Sequence, residues 1–222
     1  SPFNTPGQFM YGFTELNETL LVGTGEYSPS GDEPQSAYGL IAQSLTYPLD
    51  TKWVRFSINP AAKFHDGHAI DAQDVAFSYN ILTTQGHPRF QQTLLGVQAV
   101  TVIDKHTVQI DFKEANQPAN ILRIGEMPVL PEHFWRGKDF EKSTQISPLL
   151  SGPYRIKDYK IGHSIHLQRE PNAWTQNLSH TSESIITSGQ ADNSKTLNVY
   201  TGRYNFDDIY IDYYRDQAVA FE

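Results

Sequence analysis

Trp53 to Ile58 alternate strictly, with Trp53, Arg55 and Ser57 on one face and Val54, Phe56 and Ile58 on the other. Side chains of a strand point alternately to opposite faces, so this pattern suits a strand with one face buried and one solvated. The same logic recurs along the chain. Residues 97–103 and 107–112 are two β-rich runs separated by Asp104-Lys105-His106, which predicts a hairpin with a short polar turn. Ser151-Gly152-Pro153-Tyr154 opens a second hairpin, with strands over 154–159 and 164–169 turning at Ile161-Gly162. Residues 206–214 form a further strand, with Ile209 and Ile211 on one face and Tyr210 and Asp212 on the other. One clear helix interrupts the strands. Asp71 is placed to cap it, Asp74 to reach back three residues later, and Val75, Tyr79 and Leu82 recur on one face. The helix therefore spans 72–84 and is stopped by Gly86 and Pro88. Short helical pieces are expected at 119–125 and 132–135, and residues 37–45 read equally as helix or strand. Hairpins with scattered helices imply a mixed α/β (α+β) architecture.

The remaining stretches are less regular. Residues 13–22 read as a short helix running into a strand, and residues 28–32 as a turn. Residues 175–196 are rich in Ser, Thr, Asn and Gln and are expected to be a long, mobile, exposed loop. Asp216 is placed to cap a helix still running at Glu222, so the chain reads as ending short of a natural terminus. It begins at Ser1 rather than Met, which is expected of a processed or chosen N-terminus.

Composition excludes several classes. The net charge of −8 argues against a general nucleic-acid binder, because phosphate backbones are repelled. The absence of cysteine excludes disulfides, thiolate zinc sites and a cysteine nucleophile, and leaves the redox compartment open. No apolar run approaches the ~18 residues of a membrane span. With 222 residues, one or two domains are expected. Twelve Tyr, twelve Phe and three Trp supply core, and the Tyr and Trp also suit a cleft for mixed polar and apolar ligands.

Few residues are arranged for chemistry. His65-Asp66-Gly67-His68 gathers two imidazoles and a carboxylate that zinc or nickel could use, or else a tight turn with Gly67 at positive φ and solvated histidines. Glu15 with Glu18, Asp71 with Asp74, and Asp207 with Asp208 are possible acid–base pairs, each equally readable as a cap or a solvated face. No G-x-S-x-G elbow, P-loop or HExxH occurs. Asn17-Glu18-Thr19 and Asn177-Leu178-Ser179 are N-glycosylation sequons, which matter only in a secretory eukaryotic host.

The run from Phe64 to Tyr79 (FHDGHAIDAQDVAFSY) resembles the signature of the extracellular solute-binding proteins that serve peptide ABC importers. Ser151-Gly152-Pro153-Tyr154-Arg155-Ile156, and later Arg169-Glu170-Pro171-Asn172-Ala173-Trp174, resemble the family's Gly-Pro-Tyr hairpin and its end, with Glu170 for the usual Asn and Ala173 for the usual Tyr. Tyr38-Gly39-Leu40-Ile41-Ala42, the run from Pro128 to Trp135, Gly202-Arg203-Tyr204-Asn205-Phe206 and Asp212-Tyr213-Tyr214-Arg215-Asp216 are similar to the branch that imports oligopeptides and microcin C.

That resemblance implies the N-terminal part of lobe I of a two-lobed, periplasmic-binding-protein-like fold. Residues 1–37 and 151–222 would be the incomplete main part of lobe I, residues 38–150 the extra subdomain of peptide binders, and lobe II would be absent. It implies a non-enzymatic receptor without catalytic residues, metal ligands or cofactor. The receptor would capture oligopeptides or peptide-like compounds and deliver them to a membrane permease without inserting into the membrane or binding nucleic acid. Its compartment would be the periplasm, or the membrane-associated exterior of a Gram-positive host. Glu18, Thr19 and Leu20 match the family's cleft-lining Glu-Gly-Leu element, with Thr19 in place of Gly, and are the expected ligand-binding residues. Asp66, Gly67, Asp71 and Asp74 of the signature are expected to be scaffold. Two alternatives remain: a metal- or haem-binding relative of the same fold using His65 and His68, and a carboxylate hydrolase, which needs two buried acids facing a cleft.

Overall fold

The computed structural model describes residues 16–23, 37–140, 147–178 and 204–213. The turn expected at 28–32, the helix expected from Gln217 and residues 179–196 lie outside the described residues.

Among the described residues, three antiparallel sheets organise the fold. β1 (Leu21–Gly23) pairs with β2 (Ala37–Gly39). A four-stranded sheet follows in the order β3-β4-β6-β5, built from β3 (Ala42–Thr46), β4 (Trp53–Ile58), β5 (Val97–Asp104) and β6 (Thr107–Phe112). β7 (Tyr154–Lys160), β8 (Ser164–Arg169) and β9 (Asp208–Asp212) form the third, in that order. Both expected hairpins are present, and Ile209 pairs with Leu167 while Ile211 pairs with Ile165.

The alternation in β4 translates directly into burial. Val54, Phe56 and Ile58 are sealed from solvent and lie beside Ile110 and Val108 of β6, whose own inward residues are equally buried. At ~25 cal/mol per Å2 of apolar surface, such side chains each contribute ~1.5–3 kcal/mol of burial free energy. The ambiguous stretch 37–45 resolves into two short strands. The break falls at Leu40-Ile41, whose N–H groups leave the ladder to donate to the carbonyls of Leu20 (3.0 Å) and Thr19 (3.1 Å).

Helix α1 (Ala72–Gln85) closes the inner face of the large sheet. Asp71 is its cap: the carboxylate accepts from the N–H groups of Gln73 and Asp74, and Asp74 accepts in return from the Asp71 N–H. This reciprocal box satisfies donors that the first helical turn would otherwise leave open. The buried face differs from the simple apolar stripe. Tyr79 is only half-buried, whereas Asp74 and Ser78 lie inside with Val75, Ile81 and Leu82. The cause is a second neighbour: the Ser78 hydroxyl donates to Asp74 O (2.6 Å) and accepts from Leu130 N–H (2.7 Å), so this face also receives the chain leading to α4 (Glu132–Trp135).

The short helices α2 (Pro88–Thr93) and α3 (Ala119–Gly125) complete the layer, and α2 begins at the Pro88 expected to end α1. The first residues of the stretch read as a mobile loop are folded instead. Trp174–Asn177 form a 3-10 turn, and Thr175 and Leu178 are buried. Gly67 and Gly162 occupy the positive-φ positions of their turns, at 85° and 74°. One hydrophobic core joins the large sheet to Leu16, Leu20 and Leu21 and to Leu150, Tyr154 and Leu167.

Asp71→Ala is expected to cost ~1 kcal/mol of stability by uncapping α1, measurable as a lower urea midpoint at unchanged slope.

Candidate functional site

The residues expected to line a cleft, 18–20, lie where several segments meet. Glu18 N–H donates to Ser151 Oγ (2.9 Å), and Gly152 N–H donates to Leu16 O (3.0 Å). Glu18 O accepts from Val129 N–H (3.1 Å), and Thr19 forms an antiparallel bridge with Pro128. Thr19 O accepts from Ile41, and Leu20 O from both Leu40 and Ala42 (3.0 and 3.1 Å). Glu18 and Leu20 are buried and Thr19 is half-buried. The carbonyls of all three residues are therefore bonded within the chain. The Thr19 hydroxyl, standing where the resemblance has Gly, turns back onto Leu21 O (2.6 Å).

The approach to this segment is close enough to demand a glycine elsewhere. A Cβ on Gly125, at the end of α3, would meet Leu21 Cδ1 at 2.5 Å. Asn17 was legible only as a sequon, yet it is 2% exposed and neither its amide nitrogen nor its amide oxygen has a hydrogen-bond partner. Burial closes Asn17 to glycosylation in the folded chain. A buried amide without partners carries a desolvation cost of ~1–3 kcal/mol.

His65 and His68 are not brought together. His65 turns inward, with Nε2 2.7 Å from Gly152 O and its N–H on Leu150 O. Burial lowers its pKa, against the opposing pull of the Gly152 hydrogen bond. His68 turns outward, and its ring stacks on that of His133 at 4.1 Å. Asp66 Oδ2 lies 2.8 Å from His133 Nε2. Gly67 is what separates the two histidines, because its positive φ reverses the chain between them.

The described carboxylate pairs have structural partners. Burial raises Asp74 to about 6, partly offset by the N–H groups of Glu132 and Asp71, which donate to its two oxygens. Both oxygens are thus committed to backbone, and Asp71 is committed to its cap. Asp208 is held below the usual carboxylate range chiefly by the hydrogen bond from His166, with Lys157 also close, and Asp207 pairs with Arg169. Glu15 lies outside the described residues. Among the described residues no helix is long and apolar enough to cross a membrane.

Residues 36–221 match the family of bacterial extracellular solute-binding proteins, family 5 (middle). Protein YejA of Escherichia coli K12 is 37% identical over 196 residues, which are 88% of this chain and 29% of that protein. The peptidoglycan-binding protein YepA of Agrobacterium fabrum is 29% identical over 194 residues, 87% of this chain and 28% of that one. The solved oligopeptide-binding protein AppA of Bacillus subtilis, in complex with a nonapeptide, superposes with a TM-score of 0.63 at 19% identity, covering 78% of this chain and 34% of AppA. The chain thus spans under a third of the length of these curated relatives, and the superposition shows the shared fold.

Ser151→Ala leaves the buried Glu18 N–H without its acceptor and is expected to cost ~1–3 kcal/mol in urea unfolding. A pH effect follows from Asp74, whose folded value of about 6 exceeds its ordinary 3.8. Between these values the folded state holds a proton that the unfolded chain releases, so stability falls as pH rises from about 4 to about 6. At ~1.4 kcal/mol per unit the contribution is on the order of 3 kcal/mol at most. Unfolding free energies measured across this window should show the fall, and Asp74→Asn should flatten it.

Proposed function

Because this chain belongs to the bacterial extracellular solute-binding proteins of family 5, we propose that it forms part of the ligand-capturing component of an ABC importer, one that binds oligopeptides or peptide-like compounds, including those of the microcin C type. The observation that carries this reading is the family match across residues 36–221. Two relatives support the ligand class, since the name of one carries peptidoglycan binding and the other holds a nonapeptide. In this reading residues 1–37 and 151–222 belong to the main part of lobe I and residues 38–150 to the extra subdomain, with a second lobe contributed by sequence not included in this chain. The receptor is not an enzyme. It hands its cargo to a membrane permease and works in the periplasm, or outside the membrane of a Gram-positive cell.

Residues 18–20 line the ligand side of lobe I. Their carbonyls are held by the chain, so the contribution of this segment to a ligand comes from side chains, and the unpartnered amide of the neighbouring Asn17 suits a peptide backbone. A rigid, internally bonded segment suits this task, because positions fixed before binding cost less entropy on association.

Calorimetric titration of this chain with tri- to heptapeptides, beside a receptor of the relatives' full length, tests the reading. One lobe offers only part of the contact area. The chain is expected to bind about a thousandfold more weakly, equivalent to ~4 kcal/mol. Equal affinity would overturn the two-lobe arrangement, and haem bound more tightly than any peptide would overturn the ligand class. Asn17→Leu removes the unpartnered amide and is expected to stabilise the chain by ~1 kcal/mol while weakening peptide binding in the full-length receptor.

A further inference from the structure

We propose that Asp66, His68 and His133 form a surface site for a divalent cation of the zinc, nickel or copper class. One ligand atom from each residue can be chosen so that all lie within 4.8 Å of one another. Bonds of 2.0–2.1 Å in tetrahedral geometry require about 3.3 Å between ligand atoms, so closure asks for side-chain rotations alone, at three exposed residues.

The frame around these side chains is already set. The Asp66 carboxylate is oriented by His68 N–H, which donates to Oδ1 (2.9 Å) and leaves Oδ2 toward His133. Such an outer hydrogen bond on a ligating carboxylate fixes its direction. Gly67, at φ 85°, brings His68 back over the same side. His133 sits on α4, which is anchored by the buried Trp135 and by Glu132 N–H donating to Asp74 Oδ1 (2.9 Å). Phe64 packs its ring 5.8 Å from that of His133, and the His68 ring lies against the other at 4.1 Å, so both imidazoles are already adjacent and a turn of the exposed His68 ring out of this stack directs both toward one ion. Arg136, the nearest following cation on this segment, is paired with Glu132.

The donor set selects the ion. Two imidazoles and one carboxylate suit zinc, copper or nickel, whereas magnesium and calcium take all-oxygen sets. Three protein ligands leave one position for water. The chain has no cysteine to compete for the ion. A bound cation would staple α4 to the turn before α1, joining residues 66 and 133. The site is independent of the peptide-binding reading, since its residues lie outside the 18–20 segment.

Zinc titration of the 222-residue chain in a non-coordinating buffer tests the proposal, with cobalt absorption as a spectroscopic readout. One zinc per chain with micromolar affinity is expected, together with a melting-temperature rise that EDTA reverses. His68→Ala and His133→Ala should each weaken binding at least about tenfold and remove the rise. His106→Ala and His163→Ala should change neither. Asp66→Asn, which keeps the turn-forming oxygen, provides a third variant if one histidine replacement fails to fold. Absence of saturable zinc binding, or binding unchanged in His68→Ala and Asp66→Asn, would overturn the site.

Discussion

The fold depends on the backbone pairing of residues 16–21. Six hydrogen bonds tie the main chain of this short segment to residues 40–42, 129 and 151–152. None of these contacts is local, and each must offset the ordering entropy of the loop that closes it. They succeed because Leu16, Leu20 and Leu21 are buried in the same core as the large sheet, where an unpaired backbone group would itself cost free energy. The segment therefore acts as a seam: the Thr19 and Leu20 carbonyls hold the break between β2 and β3, and the Glu18 N–H and Leu16 carbonyl hold the entrance to the β7–β8 hairpin.

The sequence made some of this legible and hid the rest, for identifiable reasons. β4, both hairpins and α1 were readable because period, cap and turn are encoded within a few residues of one another. Asp71 with Asp74 is an example in which sequence spacing and hydrogen-bond geometry coincide. Tyr79 packs half-buried against the core as its spacing implies, but the burial of Asp74 and Ser78 was missed because the stripe argument counts only apolar side chains, whereas Ser78 is buried by bridging Asp74 and Leu130. Residues 37–45 were ambiguous because their break is made by carbonyls some twenty residues earlier. Glu18 was identified by resemblance, but its pairing with Ser151, 133 positions away, has no local signal. His133 was invisible as a partner of Asp66 for the same reason.

A lone conformational detail separates two uses of the Phe64–His68 turn. With Gly67 at positive φ, His65 and His68 diverge. His65 is desolvated against Gly152, and burial favours its neutral form. A neutral imidazole is a single donor and a single acceptor, so its bond to a carbonyl fixes the tautomer with the proton on Nε2. His68 keeps access to solvent and to His133. Reading the two histidines as a pair assumed a common face, and the turn denies it.

The same turn is continuous with the seam. His65 meets Gly152, whose neighbour Ser151 accepts the Glu18 N–H, while Asp74 holds Glu132 and so places His133 beside Asp66. Glu18 and Asp66 thus belong to one connected set of hydrogen bonds through elements that are each buried on at least one side. Such a set resists piecemeal change. Moving α4 exposes an Asp74 oxygen that backbone N–H now satisfies, and moving the 151–152 corner strips both His65 and Glu18 of partners. Residues 18–20 are accordingly held in place from outside their own segment, by Val129 and Ser151 directly and by the 64–68 turn through the 151–152 corner.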